Sequence, residues 1–71
     1  MEQYANYRGN SQITHYQIED DKIVVWFKGG KSYSYSYRRT GRSHVETMKS
    51  LARRGSGLSA YITKNVRNDY D

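Results

Sequence analysis

The chain has 71 residues, of which 35% are hydrophobic, and contains no cysteine and no proline, so we expect one small domain without disulfides or thiolate metal sites. It has no apolar run long enough for a transmembrane helix and no signal-peptide pattern, which predicts a soluble, cytoplasmic protein that does not bind membranes. The net charge is +5, and the whole excess lies in residues 38–71, since residues 1–37 hold four basic and four acidic residues.

The N-terminal residues show no hydrophobic period. Residues 1–11 are therefore predicted as a flexible lead-in, followed by a single domain over residues 12–70. Apolar residues alternate with polar ones over residues 12–19, which predicts a first strand. Its start is predicted to be irregular, because Ile13 falls on the opposite parity to Tyr16.

Two further strands follow in a hairpin. Residues 22–28 are β-branched and aromatic between two basic ends, the pattern of a short buried strand. Gly29 and Gly30 permit the positive φ angles of a tight turn, and residues 31–37 then alternate strictly between serine and tyrosine after a lysine. These patterns predict a three-stranded antiparallel meander.

Side-chain alternation assigns the two faces of this sheet. The face that we expect to be buried carries Tyr33, Tyr35, Tyr37, Ile23, Val25 and Phe27. Val24 and Trp26 then lie on the serine side, where little covers them. An exposed tryptophan on such a face predicts either contact with a ligand or self-association.

Two helices are predicted after the sheet. Residues 38–42 form a polar loop, and Ser43 with Glu46 fits a capping box that starts the first helix. An apolar stripe recurs at three and four residues, with Lys49 lying off it, until Gly55 ends the helix. The same spacing over residues 58–68 predicts a second, short helix. Packing both helices on the tyrosine face gives an α+β domain of βββαα order.

The residue pattern predicts no enzyme, no cofactor and no metal. His15 and His44 are isolated, and the chain has no cysteine to pair with either. The consecutive carboxylates of residues 19–21 are a metal or acid–base candidate, but a solvated turn is the favoured interpretation. Gly57 and the amides that open the second helix offer a place for one phosphate oxygen, whereas a simple helix cap also explains this glycine.

The basic half of the chain is the better functional candidate. A one-sided basic field attracts polyanions such as RNA or DNA, and arginine contacts phosphate through a bidentate fork. Solubility alone is the alternative reason for the excess charge. An aromatic ring on the sheet offers a stacking surface for unpaired bases. The predicted nucleic-acid-binding residues are Arg38, Arg39, Arg42, Arg53, Arg54, Lys64, Arg67 and Trp26.

Several motifs, taken in order, resemble the KTSC domain family over roughly residues 9–70. They are Gly9-Asn10-Ser11, Tyr16-Gln17-Ile18, Gly30 with Tyr33-Ser34-Tyr35, residues 45–52, Gly55-Ser56-Gly57-Leu58, Tyr61-Ile62 and Val66-Arg67 to Tyr70. The family occurs at the C-terminus of some lysyl-tRNA synthetases and as stand-alone bacterial and phage proteins. The resemblance implies nucleic-acid binding, itself an inference for the family, and no catalytic residues.

A second hypothesis is a protein-interaction module. Here the chain is a bacterial, phage or mobile-element accessory protein that docks on another protein, or dimerises, through the face of Val24 and Trp26. In that case Trp26→Ala abolishes the contact, while charge reversals change mainly the rate of association.

Overall fold

The computed structural model describes residues 1–71 and has an α+β fold, in which an antiparallel four-stranded sheet packs against two helices. The strands are β1 (Glu2–Gln3), β2 (Ile13–Glu19), β3 (Lys22–Phe27) and β4 (Ser32–Ser36), and they lie side by side in chain order. The helices are α1 (Arg42–Arg54) and α2 (Leu58–Tyr61), and α2 continues as a π-helical segment (Ile62–Val66).

The sheet has one strand more than the three that the sequence predicts. In β1, Glu2 pairs with Tyr16 and Gln3 pairs with His15. The next residue, Tyr4, donates its backbone N–H to the Thr14 carbonyl at 2.9 Å and is buried in the core. The N-terminal residues thus take part in the sheet and the core, rather than forming only a lead-in. Two residues are too few to show a period, which is why the pattern missed this strand.

The predicted irregular start of β2 is confirmed as a β-bulge. Ile13 pairs with Phe27 and His15 pairs with Trp26, so Thr14 is an extra residue without a partner in register. The Thr14 hydroxyl donates to the Trp26 carbonyl at 3.3 Å. A bulge shifts the alternation by one residue, and this is what brings Ile13 to the buried face.

The predicted assignment of the sheet faces is also confirmed. Ile23, Val25 and Tyr35 are fully buried against the helices, while Phe27, Tyr33 and Tyr37 are half-buried at the rim of the same core. The helices contribute Val45, Met48, Ala52, Leu58, Ile62 and Val66. Tyr70, close to the C-terminus, packs against β4, and the centre of its ring lies 4.6 Å from the centre of the Tyr33 ring.

The start of α1 differs from the predicted capping box. The N-cap is Gly41, two residues before the predicted Ser43, and no side chain caps the helix. Glu46 does not reach back to the first turn, because its carboxylate accepts a hydrogen bond from the Tyr37 hydroxyl and pairs with Lys49. The predicted end is confirmed, since Gly55 follows the helix in the left-handed conformation, with φ of 80°.

The second predicted helix is shorter and less regular than expected. α2 has only four residues, and the following five residues are wound as a π-helix, so helical structure ends at Val66 rather than at residue 68. The last residues instead run beside β4, where the Asp71 amide donates to the Ser34 carbonyl at 2.8 Å. These contacts between the C-terminus and β4 cover part of the outer edge of that strand.

Candidate nucleic-acid interface

All seven basic residues predicted as phosphate contacts are exposed, and none of them forms an ion pair. The chain has one ion pair, at 2.9 Å between the Lys49 ammonium and the Glu46 carboxylate. Lys49 lies off the predicted apolar stripe but is buried, with 6% of its surface exposed. All seven predicted phosphate contacts therefore remain free to meet an anion, as do the exposed Arg8, Lys28 and Lys31.

Five of the six predicted arginines are divided between the two ends of α1. Arg38 and Arg39 lie in the turn before the helix and Arg42 is its first residue, whereas Arg53 and Arg54 form its last turn. At 1.5 Å per residue, Arg42 and Arg53 are about 16 Å apart along the helix axis. The structure thus places two basic groups on this helix rather than one compact cluster.

The group at the start of α1 includes acidic neighbours. The Arg42 guanidinium lies 5.4 Å from the centre of the Tyr37 ring, in a cation–π contact. The Arg39 amide donates to the Ser36 hydroxyl at 3.2 Å, and this hydroxyl donates to the Asp71 carboxylate at 2.8 Å. A carboxylate next to this turn weakens its attraction for phosphate.

The group at the end of α1 has a different environment. Arg54 Nε donates to the Ser56 hydroxyl at 3.3 Å, which holds the guanidinium over Gly57. Basic side chains in the last turn of a helix also interact favourably with its dipole. Arg54 is therefore held in place without an acidic partner.

Lys64 and Arg67 lie on the third helical section of the chain. Lys64 belongs to the π-helical segment and Arg67 directly follows it. Both side chains are exposed, and neither makes a side-chain hydrogen bond or an ion pair. They extend the basic surface on the side of the sheet that carries the helices.

Trp26 lies on the other side of the sheet. Its neighbours Val25 and Phe27 face the helices, so the alternation along β3 directs Trp26 to the uncovered face, between His15 and Ser32. The ring is half-buried there. A nucleic-acid strand held by α1 can reach Trp26 only by passing around an edge of the sheet, so the structure separates Trp26 from the seven basic residues.

Two residues outside the predicted set stand beside Gly55, at the end of α1. Tyr7 is 79% exposed, more than any other large hydrophobic side chain, and Arg8 follows it. The Tyr7 amide donates to the Gly55 carbonyl at 2.9 Å, which attaches this part of the chain to the end of α1. The signal in the sequence is the pair Tyr7-Arg8 before Gly9, but only the fold brings this pair to the end of α1 at Gly55.

His44 and the Leu58 amide, two of the other polar candidates, have structural roles. The His44 ring nitrogen Nδ1 lies 2.6 Å from the Tyr61 hydroxyl, which joins α1 to α2. The Leu58 amide, which was a candidate phosphate donor, donates to the Tyr4 hydroxyl at 3.3 Å. The Asp20 carbonyl accepts from Lys49 at 3.0 Å. No group of three or more histidines and carboxylates is arranged to hold a metal ion.

Comparison of the chain with models of protein families, with curated protein sequences and with solved structures gave no match. Neither helix has both the length and the apolar character needed to cross a lipid bilayer.

Proposed function

We propose that this chain is a small RNA- or DNA-binding module that contacts phosphates through basic residues on the helical side of its sheet. The observation that carries the proposal is that seven basic side chains are exposed and have no ion-pair partner. They are Arg38, Arg39, Arg42, Arg53, Arg54, Lys64 and Arg67. The resemblance to the KTSC domain family points to the same function and stays a prediction.

The charge balance supports this proposal over a purely solubilising surface. Unpaired basic groups on a small domain repel one another, and a polyanion relieves that repulsion while it releases its condensed counterions. Arginine accounts for six of the seven residues, and its planar fork matches the geometry of a phosphate better than a lysine does.

Binding titrations with labelled oligonucleotides at two salt concentrations test the proposal. We expect the logarithm of the association constant to fall linearly with the logarithm of the salt concentration, by about 0.7 per phosphate contact for a single strand and about 0.9 for a duplex. Arg53→Gln and Arg67→Gln should each remove about one such unit from the slope. If the protein shows no salt-dependent binding to any single strand or duplex, whether of RNA or of DNA, the proposal is refuted.

The alternative, a protein-interaction module that uses the face of Val24 and Trp26, has one supporting observation. No helix covers this face, and both side chains are only half-buried. Against it, the neighbouring positions Gln17, Ser32 and Ser34 are polar, so the apolar area is small for a stable interface. The alternative covers docking on another protein and dimerisation, and sedimentation of the wild type and of Trp26→Ala tests the dimer, which should form for the wild type alone.

A further inference from the structure

Residues 6–9 form a tight turn that presents Tyr7 and Arg8 to solvent, and we call it the Tyr7 turn. The Gly9 amide donates to the Asn6 carbonyl at 2.9 Å and closes the turn. Asn6 adopts a positive φ of 54°, and its side-chain oxygen accepts from the Ser11 amide at 3.2 Å. A non-glycine residue in this conformation needs support from its surroundings, and the hydrogen bond to Ser11 supplies it.

The end of α1 supports the Tyr7 ring from below. A Cβ atom on Gly55 would lie 2.9 Å from one ring carbon of Tyr7 and 2.7 Å from the Ala5 Cβ, so only glycine permits this close approach. The contact leaves most of the ring in water, although a tyrosine on a surface normally buries its apolar body. The fold therefore anchors the backbone that carries this exposed ring and places one ring edge against Gly55.

A small polar recess lies directly beside this turn. It measures about 80 Å³, and its polar lining includes Arg8, Asn6, Asn10, Ser56 and Ser59. Arg54 stands at its margin, bonded to Ser56. No carboxylate lines the recess, so its polar groups and the Arg8 charge meet an anion without competition, and Arg54 lies next to the lining residue Ser56. Its size suits a compact anion and not a whole nucleotide.

We infer that the Tyr7 turn binds a single-stranded nucleic acid, with one unpaired base stacked on the Tyr7 ring and a phosphate in the recess against Arg8 and Arg54. The inference rests on the proposed function and names the site within it. An aromatic face next to cationic phosphate ligands is the arrangement by which proteins hold single strands, because every base has a face that stacks. A duplex presents no free base to Tyr7 and gains nothing from it.

The test uses the full chain and fluorescein-labelled oligo(U), oligo(dT) and a duplex of mixed sequence. Tyr7→Ala should weaken binding to one or both single strands by about 5- to 150-fold and leave the salt dependence unchanged, since stacking involves no counterions. Tyr7→Phe should bind like the wild type. Arg8→Gln and Arg54→Gln should each lower the slope of log K against log salt concentration by about 0.7. Lys31 does not line the recess, so Lys31→Gln should lower this slope less.

The outcomes separate the two proposals. If the wild type binds single strands in a salt-dependent way but Tyr7→Ala binds them equally tightly, this site is wrong and the proposed function stands. If the wild type binds neither single strands nor duplex, both are wrong. If Tyr7→Ala loses as much affinity for the duplex as for the single strands, base stacking on Tyr7 is also contradicted. Circular dichroism of each variant confirms that it is folded.

Discussion

The ammonium group of Lys49 in α1 donates a hydrogen bond to the backbone carbonyl of Asp20, 3.0 Å away in the turn between β2 and β3. The same group pairs with Glu46 at 2.9 Å and lies 5.2 Å from the centre of the Tyr37 ring. A buried cation thus attaches the helix to one end of the sheet, in a position where the sequence pattern predicts a solvent-exposed side chain.

Replacing this cation should destabilise the fold. Lys49→Ala removes the donor to the Asp20 carbonyl and the partner of Glu46, and we expect the free energy of unfolding to fall by about 1–3 kcal/mol. Urea denaturation measures this change in the free energy of unfolding. Lys31→Ala, at an exposed turn, is the matched control and should change stability by less than about 0.5 kcal/mol. An equally small effect for Lys49→Ala would show that its contacts contribute nothing.

Acid should weaken the same network. The hydrogen bond from Tyr37, together with the contacts of Lys49, lowers the pKa of Glu46 below its usual 4.5. A carboxyl group with a lowered pKa in the folded state stabilises the fold above its unfolded pKa, and this contribution is lost as the pH falls through the folded value. Urea midpoints at pH 7 and pH 3 should therefore differ less in Glu46→Gln than in the wild type. A larger difference in the variant would contradict this assignment.

Alkaline pH should act through Tyr35. Burial, with the nearby Tyr33 and Tyr70, raises the pKa of Tyr35 from 10.0 to about 12. A group with a raised pKa stabilises the fold fully below its unfolded pKa, and this stability is lost as the pH rises from about 10 to about 12. Tyr35→Phe has no proton to lose, so its urea midpoint should decline less over this window. The raised pKa of Lys49 acts in both proteins, and the comparison therefore isolates Tyr35.

Gly55 should tolerate alanine much less well than Gly30. Both have positive φ, of 80° and 89°, so each alanine carries a conformational cost of about 1–2 kcal/mol. A Cβ on Gly30 meets nothing within 4 Å, whereas one on Gly55 meets Ala5 and the Tyr7 ring below 3.0 Å. We expect Gly55→Ala to lose about 1–3 kcal/mol more than Gly30→Ala in urea denaturation. Equal losses would mean that the N-terminal segment does not pack on Gly55 as described.

Much of the scaffold follows from residue patterns. The apolar run of β3 and the alternation of serine and tyrosine in β4 identify both strands and their buried faces, and the stripe before Gly55 identifies α1. The predicted capping box was wrong, because the Glu46 carboxylate binds Tyr37 and Lys49 instead of a backbone amide in the first turn of α1. The sequence alone identified the basic residues of the candidate site. Their division between the two ends of α1 became visible only from the bounds of that helix in the structure.

The sequence by itself determined the meander and the main helix, because periods of two and 3.6 residues express local geometry that any buried face imposes. Only the tertiary structure decided the course of the N-terminal strand, the burial of Lys49 and the position of Tyr7. Each depends on residues far apart in the chain, such as Tyr7 on Gly55 or Lys49 on Asp20, and no local pattern records which distant partner a side chain meets.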